Sequence, residues 1–74
     1  MVEAGSQTLA RGLRALALIG EAESPLTVPD VSAALDIHRS MAYRLIRTLE
    51  ELGFVARSAE GLLEVGARVV ALGR

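Results

Sequence analysis

The sequence contains no cysteine and only one histidine, His38. The absence of cysteine excludes disulfide bridges, zinc sites built on thiolates and a cysteine nucleophile. A transition-metal site is left with only His38 and carboxylates as ligands, so we expect no metal and no cofactor. His38 is instead expected in a turn, in contact with solvent or phosphate.

Long apolar segments are missing as well. No run approaches the roughly 18 residues that a membrane span requires, and the start MVEAGSQT lacks the basic flank and apolar stretch of a secretory signal. We therefore expect a cytoplasmic protein. Its 74 residues, 51% of them hydrophobic, predict one small domain. Such a domain is too small for a catalytic pocket and lacks a phosphate loop, so we expect no enzyme.

Lysine is absent, and all eight basic residues are arginine. A GC-rich coding bias explains that choice but not where the arginines lie. The net charge of −1 argues against nucleic-acid binding, because such domains are usually basic. However, residues 39–57 carry four arginines against two acids, whereas residues 1–38 carry two arginines against five acids. Positive charge is thus concentrated in one segment, on side chains that suit phosphate oxygens and guanine edges.

The first predicted helix runs from Leu9 to Ala22, because leucines recur on one face and no proline interrupts them. Thr8 is its expected N-cap. We predict that its inward face consists of Leu9, Leu13, Leu16 and Gly20.

This helix has a second apolar face, formed by Ala15, Leu18 and Ala22, that a monomer cannot easily cover. We expect that face to form a homodimer contact. Arg11 and Arg14 lie on the outer side of the helix, where they are either solvated or close to DNA or a sister subunit.

A short second helix is predicted from Thr27 to about Leu35. Threonine is a good N-cap, and Asp30 stands three residues later, where it faces the positive end of the helix dipole. Asp36 then breaks the pattern with a residue that tolerates the left-handed conformation.

The third helix is predicted to open at Arg39 or Ser40 and to close at Gly53 as a glycine cap. Its buried face is expected to carry Ala42, Leu45, Ile46, Leu49 and Leu52.

After Gly53, residues 54–57 and 62–65 are predicted to form a hairpin, and residues 67–72 a last helical segment. The predicted fold class is therefore mainly α with a small β-hairpin, a winged helix-turn-helix. Within it, the helix-turn-helix covers about 27–53, the wing about 54–65 and the start of a linker about 67–74.

The outward face of the third helix carries Ser40, Arg44 and Arg47, with Tyr43 on one flank. In a helix-turn-helix the second helix enters the major groove, so this face is the candidate DNA contact. The alternative is an ordinary solvated face. No acid lies between residues 37 and 49 to form the ion pairs typical of such a face, which favours DNA.

Motifs spread over the chain resemble the N-terminal DNA-binding domain of the IclR family of bacterial transcriptional regulators, from Thr8 to Gly73. The matching residues are Arg11, Pro25-Leu26-Thr27, Arg39-Ser40, Tyr43-Arg44-Leu45, Leu49-Glu50, Gly53-Phe54-Val55, Arg57, Gly61 and Gly66.

The resemblance implies a dimeric or tetrameric regulator that binds a palindromic operator, with the family's effector-binding domain absent from this chain. The DNA-binding residues it implies are Arg39, Ser40, Met41, Tyr43, Arg44 and Arg47, with Arg57 in the wing. Met41 stands where the family usually has threonine, and it offers an apolar contact to a thymine methyl group. Asp36 and His38 replace a common glycine and proline, and Leu62 to Glu64 leave the wing few cations besides Arg57.

Several alternatives remain open at the level of sequence. Tyr43 is either a phosphate contact or a half-buried aromatic, Ser40 is either a DNA contact or a cap, and Arg47 pairs either with phosphate or with Glu51. A winged helix used for protein–protein interaction is the competing function, and the overall acidity favours it. The two functions differ in whether the arginines are unpaired or held by Glu50, Glu51 and other acids.

Overall fold

A computed structural model describes residues 5–74 of the protein. Residues 1–4, which begin the segment considered for a secretory signal, lie outside the described residues. The elements in chain order are α1 (Gln7–Glu21), α2 (Val28–Leu35), α3 (Arg39–Glu51), β1 (Val55–Arg57), β2 (Leu63–Val65) and α4 (Ala67–Leu72). Three packed helices followed by an antiparallel hairpin confirm the predicted winged helix-turn-helix. No helix of residues 5–74 is long and apolar enough to cross a membrane.

The ends of α2 lie where the sequence predicts. The Thr27 hydroxyl accepts a hydrogen bond from the Asp30 N–H at 3.3 Å, and the Asp30 carboxylate accepts one from the Thr27 N–H at 2.9 Å. This capping box satisfies two donors that the helix itself leaves unpaired. The backbone hydrogen bond from Thr27 also lowers the pKa of Asp30, since it stabilises the ionised carboxylate. At the other end, Asp36 adopts the left-handed conformation with φ 54°.

The start of α1 differs from the prediction. The helix begins at Gln7, and its N-cap is Ser6, whose hydroxyl accepts a hydrogen bond from the Leu9 N–H at 3.3 Å. Thr8 lies inside the first turn, so its prediction as the cap is wrong. Serine and threonine are both good caps, and their order in the sequence did not separate them.

The inward face of α1 is also rotated from the predicted one. Ala15 and Ile19 are 0% and 6% exposed, whereas Leu9 and Leu13 are 60% and 56% exposed. The small Ala15 shares the core with the equally small and fully buried Ala42 of α3, a combination that lets helices approach closely.

The predicted homodimer face of α1 is therefore wrong. Ala15 is a core residue, Leu18 packs against the same core, and Ala22 is partly buried. The apolar face that α1 leaves uncovered is instead the one with Leu9 and Leu13.

The buried side of α3 follows the prediction except at its end. Ala42, Leu45, Ile46 and Leu49 are buried, but Leu52 is 52% exposed because the last helical residue is Glu51 and Leu52 is already the C-cap. Gly53 follows with φ 86°, a conformation that favours glycine, which confirms the predicted glycine cap.

The hairpin is held at both ends of β2 by the segments that connect the helices to one another and to the hairpin. β1 and β2 pair from Val55 opposite Val65 to Arg57 opposite Leu63, and the Leu63 N–H donates to the Leu26 carbonyl at 2.7 Å. After β2 the chain crosses the Gly53–Phe54 backbone so closely that a Cβ on Gly66 would collide with the Gly53 carbonyl. The helical segment predicted for residues 67–72 is confirmed as α4; its role as the start of a linker stays a prediction.

Candidate nucleic-acid interface

One face of α3 is exposed and polar over its whole length. Ser40, Arg44 and Arg47 point away from the protein, on the side opposite Ala42 and Ile46, which are 0% exposed. The amphipathic spacing of α3 thus produces the arrangement that the sequence predicts. It presents two arginines one turn apart on the same surface.

The turn before α3 fixes how this face is presented. Ser32 of α2 is 8% exposed, and its hydroxyl donates to the Ile37 carbonyl at 2.6 Å. The Ile37 N–H in turn donates to the Ser32 carbonyl at 3.1 Å. These two hydrogen bonds join the end of α2 to the segment that leads into α3. Ser32 was not predicted as a functional residue, because one serine in a short helix does not reveal its partner five residues later.

The arginines of α3 have few carboxylate partners. Among residues 5–74, no carboxylate lies within 4.0 Å of Arg39 or Arg44. Arg47 approaches Glu51 at 3.8 Å, but these side chains are 80% and 67% exposed, so water screens the pair and its contribution is small. Two or three cations of this helix therefore remain available to an anionic ligand.

The start of α3 has no side-chain cap. His38 is the N-cap residue, and its side chain makes no capping hydrogen bond. The alternative that Ser40 caps the helix is therefore wrong. Arg39 and Ser40 are exposed in the first turn, and Met41 is partly buried. A helix start without a side-chain acceptor leaves N–H groups that can donate to a phosphate.

The wing carries its arginine against one flank of α3. Arg57, the last residue of β1, places its Nη2 3.0 Å from the Glu50 Oε1, and its guanidinium carbon lies 6.0 Å from the centre of the Tyr43 ring. Tyr43 is 47% exposed. Glu50 and Tyr43 are seven residues apart and therefore on one flank of the helix. Glu50 was predicted from the sequence as a possible ion-pair partner, but only the fold shows that its arginine comes from the wing.

The remaining predicted positions lie apart from this cluster. On α1, Arg14 is exposed and Arg11 is partly buried, and neither has a carboxylate within 4.0 Å in the described part of the chain. Residues 5–74 contain no group of three or more histidine, aspartate or glutamate side chains arranged to hold a metal ion.

An apolar groove lies on the other flank of α3, between α1, the end of α3 and α4. It has a volume of about 550 Å³, and the leucines that project into it include Leu9, Leu13, Leu52 and Leu72. All four are more than half exposed. The wing and this groove therefore lie on opposite sides of the polar face of α3.

Comparison with known proteins identifies the family. Residues 8–59 match the IclR helix-turn-helix domain. The glycerol operon regulatory protein of Streptomyces coelicolor is 32% identical over 68 residues, which cover 90% of this chain and 27% of that protein.

Solved structures agree with this match. The repressor BlcR of Agrobacterium tumefaciens is 30% identical with a TM-score of 0.80, covering 89% of this chain and 26% of that one. IclR of Thermotoga maritima is 26% identical with a TM-score of 0.84, covering 89% and 27%. The chain thus spans about a quarter of the length of each of these proteins. This protein belongs to the IclR family of transcriptional regulators, and the chain carries the family's helix-turn-helix domain.

Proposed function

We propose that this domain binds double-stranded DNA in a sequence-dependent way, with α3 in the major groove, as the DNA-binding part of a transcriptional regulator. One observation carries the proposal. Arg39 and Arg44 have no carboxylate within 4.0 Å among residues 5–74, although the whole chain has a net charge of −1. A domain with more acids than bases that still leaves two arginines of one helix without a carboxylate partner has them available for an anionic ligand.

The dimensions of α3 suit the major groove, because an α-helix of about 10–12 Å fits a groove about 12 Å wide. In that position Arg44, at the middle of the polar face, reaches base edges, where its planar fork can bind a guanine at two points. Arg47, one turn further on, and Arg39, at the start of the helix, reach phosphates, and Ser40 donates from the first turn.

The flanks of α3 add weaker contacts. Met41 is partly buried, so only part of its side chain is available for a thymine methyl group. The half-exposed Tyr43 turns its hydroxyl toward a backbone phosphate, beside Arg57 of the wing.

We propose further that the domain acts as a homodimer on a palindromic operator, with the apolar groove as the contact between two copies. Two half-sites one turn of DNA apart, at roughly 34–36 Å, require two α3 helices related by a two-fold axis, which a dimer supplies. The groove lies on the flank of α3 away from the wing, so a contact there leaves both polar faces and both wings open to one duplex.

Sedimentation of the domain over a wide concentration range tests the dimer. Burial of Leu13 and its neighbours predicts a dimer that the charge in Leu13→Asp abolishes, since Leu13 is 56% exposed in the single copy. A monomer at the highest concentration, with an enriched DNA site that has no two-fold symmetry, would contradict the dimer.

A protein-interaction module is the second candidate, and the exposed groove is the observation that favours it. The named relatives are regulators, and we propose no catalytic role for this chain. Because a bacterial regulator acts on the chromosome, we place the protein in the cytoplasm.

Enrichment from a pool of randomised duplexes, followed by titration of the enriched duplex, tests DNA binding without knowledge of the operator. Neutralising about four phosphates predicts a slope of log affinity against log salt near −3 to −4. A fourfold rise in salt should then weaken binding by roughly 60- to 250-fold. Failure to enrich any sequence, or binding that is indifferent to salt, would favour the protein-interaction module.

A further inference from the structure

The wing arginine is held from several sides before any ligand arrives. The backbone of Arg57 is fixed by its pairing with Leu63, whose N–H is in turn bonded to the Leu26 carbonyl. Its Nη2 forms an ion pair with the Glu50 Oε1 at 3.0 Å, and its guanidinium carbon lies 6.0 Å from the centre of the Tyr43 ring. Arg57 is thus restrained at the junction of wing and recognition helix.

Two glutamates stand side by side in α3, yet they hold their arginines differently. The side chains of Arg57 and Glu50 are 33% and 27% exposed, whereas those of Arg47 and Glu51 are 80% and 67% exposed and lie 3.8 Å apart. The first pair is shorter and better shielded from water, so it restrains its arginine more strongly.

The contact with Glu50 leaves most of the guanidinium unused. Arginine has five N–H donors, and Arg57 approaches Glu50 through Nη2 at 3.0 Å, with no second carboxylate partner among residues 5–74. The other N–H donors of Arg57 are available for a phosphate while Nη2 remains in contact with Glu50. Arg57 can therefore contact Glu50 and a DNA phosphate at the same time.

We propose that Glu50 is a positioning residue for DNA binding: it holds Arg57 in place for a backbone phosphate, so that the wing and α3 engage the duplex in one register. This inference rests on the proposed function. Without Glu50 the arginine must be ordered when DNA binds, which lowers affinity even though a negative charge near the phosphates has been removed.

The test compares Glu50→Gln with Glu51→Gln, which removes the same charge one residue away. The probe is the duplex enriched by the wild-type domain, titrated at fixed salt. Immobilising one long side chain corresponds to about a two- to tenfold loss of affinity, so Glu50→Gln is expected to bind that much more weakly. Glu51→Gln is expected to bind as well as wild type or more tightly, because it removes repulsion and frees Arg47.

A double-mutant cycle shows whether Glu50 acts through Arg57. In an Arg57→Ala background, Glu50→Gln should have no further weakening effect. If Glu50→Gln binds more tightly than wild type, like Glu51→Gln, or if its loss persists without Arg57, the positioning role is wrong. Failure of the wild-type domain to bind any duplex overturns the proposed function itself, whereas tight binding by wild type and Glu50→Gln together overturns only this inference.

Discussion

Replacing Ser32 with alanine tests whether a buried hydrogen bond holds the turn that presents α3. The Ser32 hydroxyl is inside the protein at 8% residue exposure, and it donates to the Ile37 carbonyl at 2.6 Å. Alanine removes the donor and leaves a partly buried carbonyl without that partner. Such a loss costs about 1–3 kcal/mol, of which roughly 0.5 kcal/mol is recovered because alanine is the better helix former.

The expected net loss is therefore about 0.5–2.5 kcal/mol in the free energy of unfolding. For a domain of this size each kcal/mol lowers the thermal midpoint by about 4–8 °C, so the expected drop is about 2–20 °C. Circular dichroism at 222 nm during thermal unfolding measures it. Ser40→Ala is the matched control, because Ser40 is exposed and should leave the midpoint unchanged or slightly raised. A Ser32→Ala midpoint equal to that of wild type would refute the importance of this hydrogen bond.

Two further predictions concern the fold. Gly66→Ala should destabilise the domain by at least about 1–3 kcal/mol, since its Cβ would collide with the Gly53 carbonyl; a denaturant midpoint equal to wild type would contradict the close packing. Asp30→Asn should lower stability at neutral pH, because the folded state lowers the pKa of Asp30 and so gains stability above the ordinary carboxyl pKa near about 4. As pH falls through the lowered pKa that gain is lost, so the unfolding midpoints of variant and wild type should converge below about pH 4; a constant difference would exclude the linkage.

Local chemistry made most of the elements predictable. Thr27 and Asp30 form a complete capping box within four residues, and Asp36 marks the turn by tolerating a left-handed backbone. The capping box and the left-handed turn residue each depend on interactions between near neighbours in the chain, so both can be predicted from the local sequence. The polar face of α3 was predictable for the same reason, through the spacing of its buried residues.

The orientation of α1 was not predictable from its own residues. Apolar side chains occur on more than one side of this helix, so its periodicity does not choose an inward face. The choice is made by its partners, which accommodate Ala15 and Ile19 and leave Leu9 and Leu13 outside. The resulting groove, which we propose as the homodimer contact, is a property of the assembled fold.

Part of the candidate site depended on the fold in the same way. Arg57 and Glu50 are only seven residues apart, but whether they meet depends on how the chain turns after Gly53 and pairs in the hairpin. Arg39 and Arg44 were predicted from the sequence as candidate contacts, and their freedom from carboxylates among residues 5–74 is likewise a result of tertiary structure.

The most direct test of DNA recognition by α3 is the affinity of Arg44→Ala for the duplex that the wild-type domain enriches, measured by fluorescence anisotropy. Arg74→Ala is the control, since it removes the same charge from an exposed position outside α3. We predict that Arg44→Ala loses about 1–3 kcal/mol of binding free energy, roughly five- to 150-fold, and discriminates less against other sequences, while Arg74→Ala changes little. Equal binding by both variants would contradict a place for α3 in the major groove.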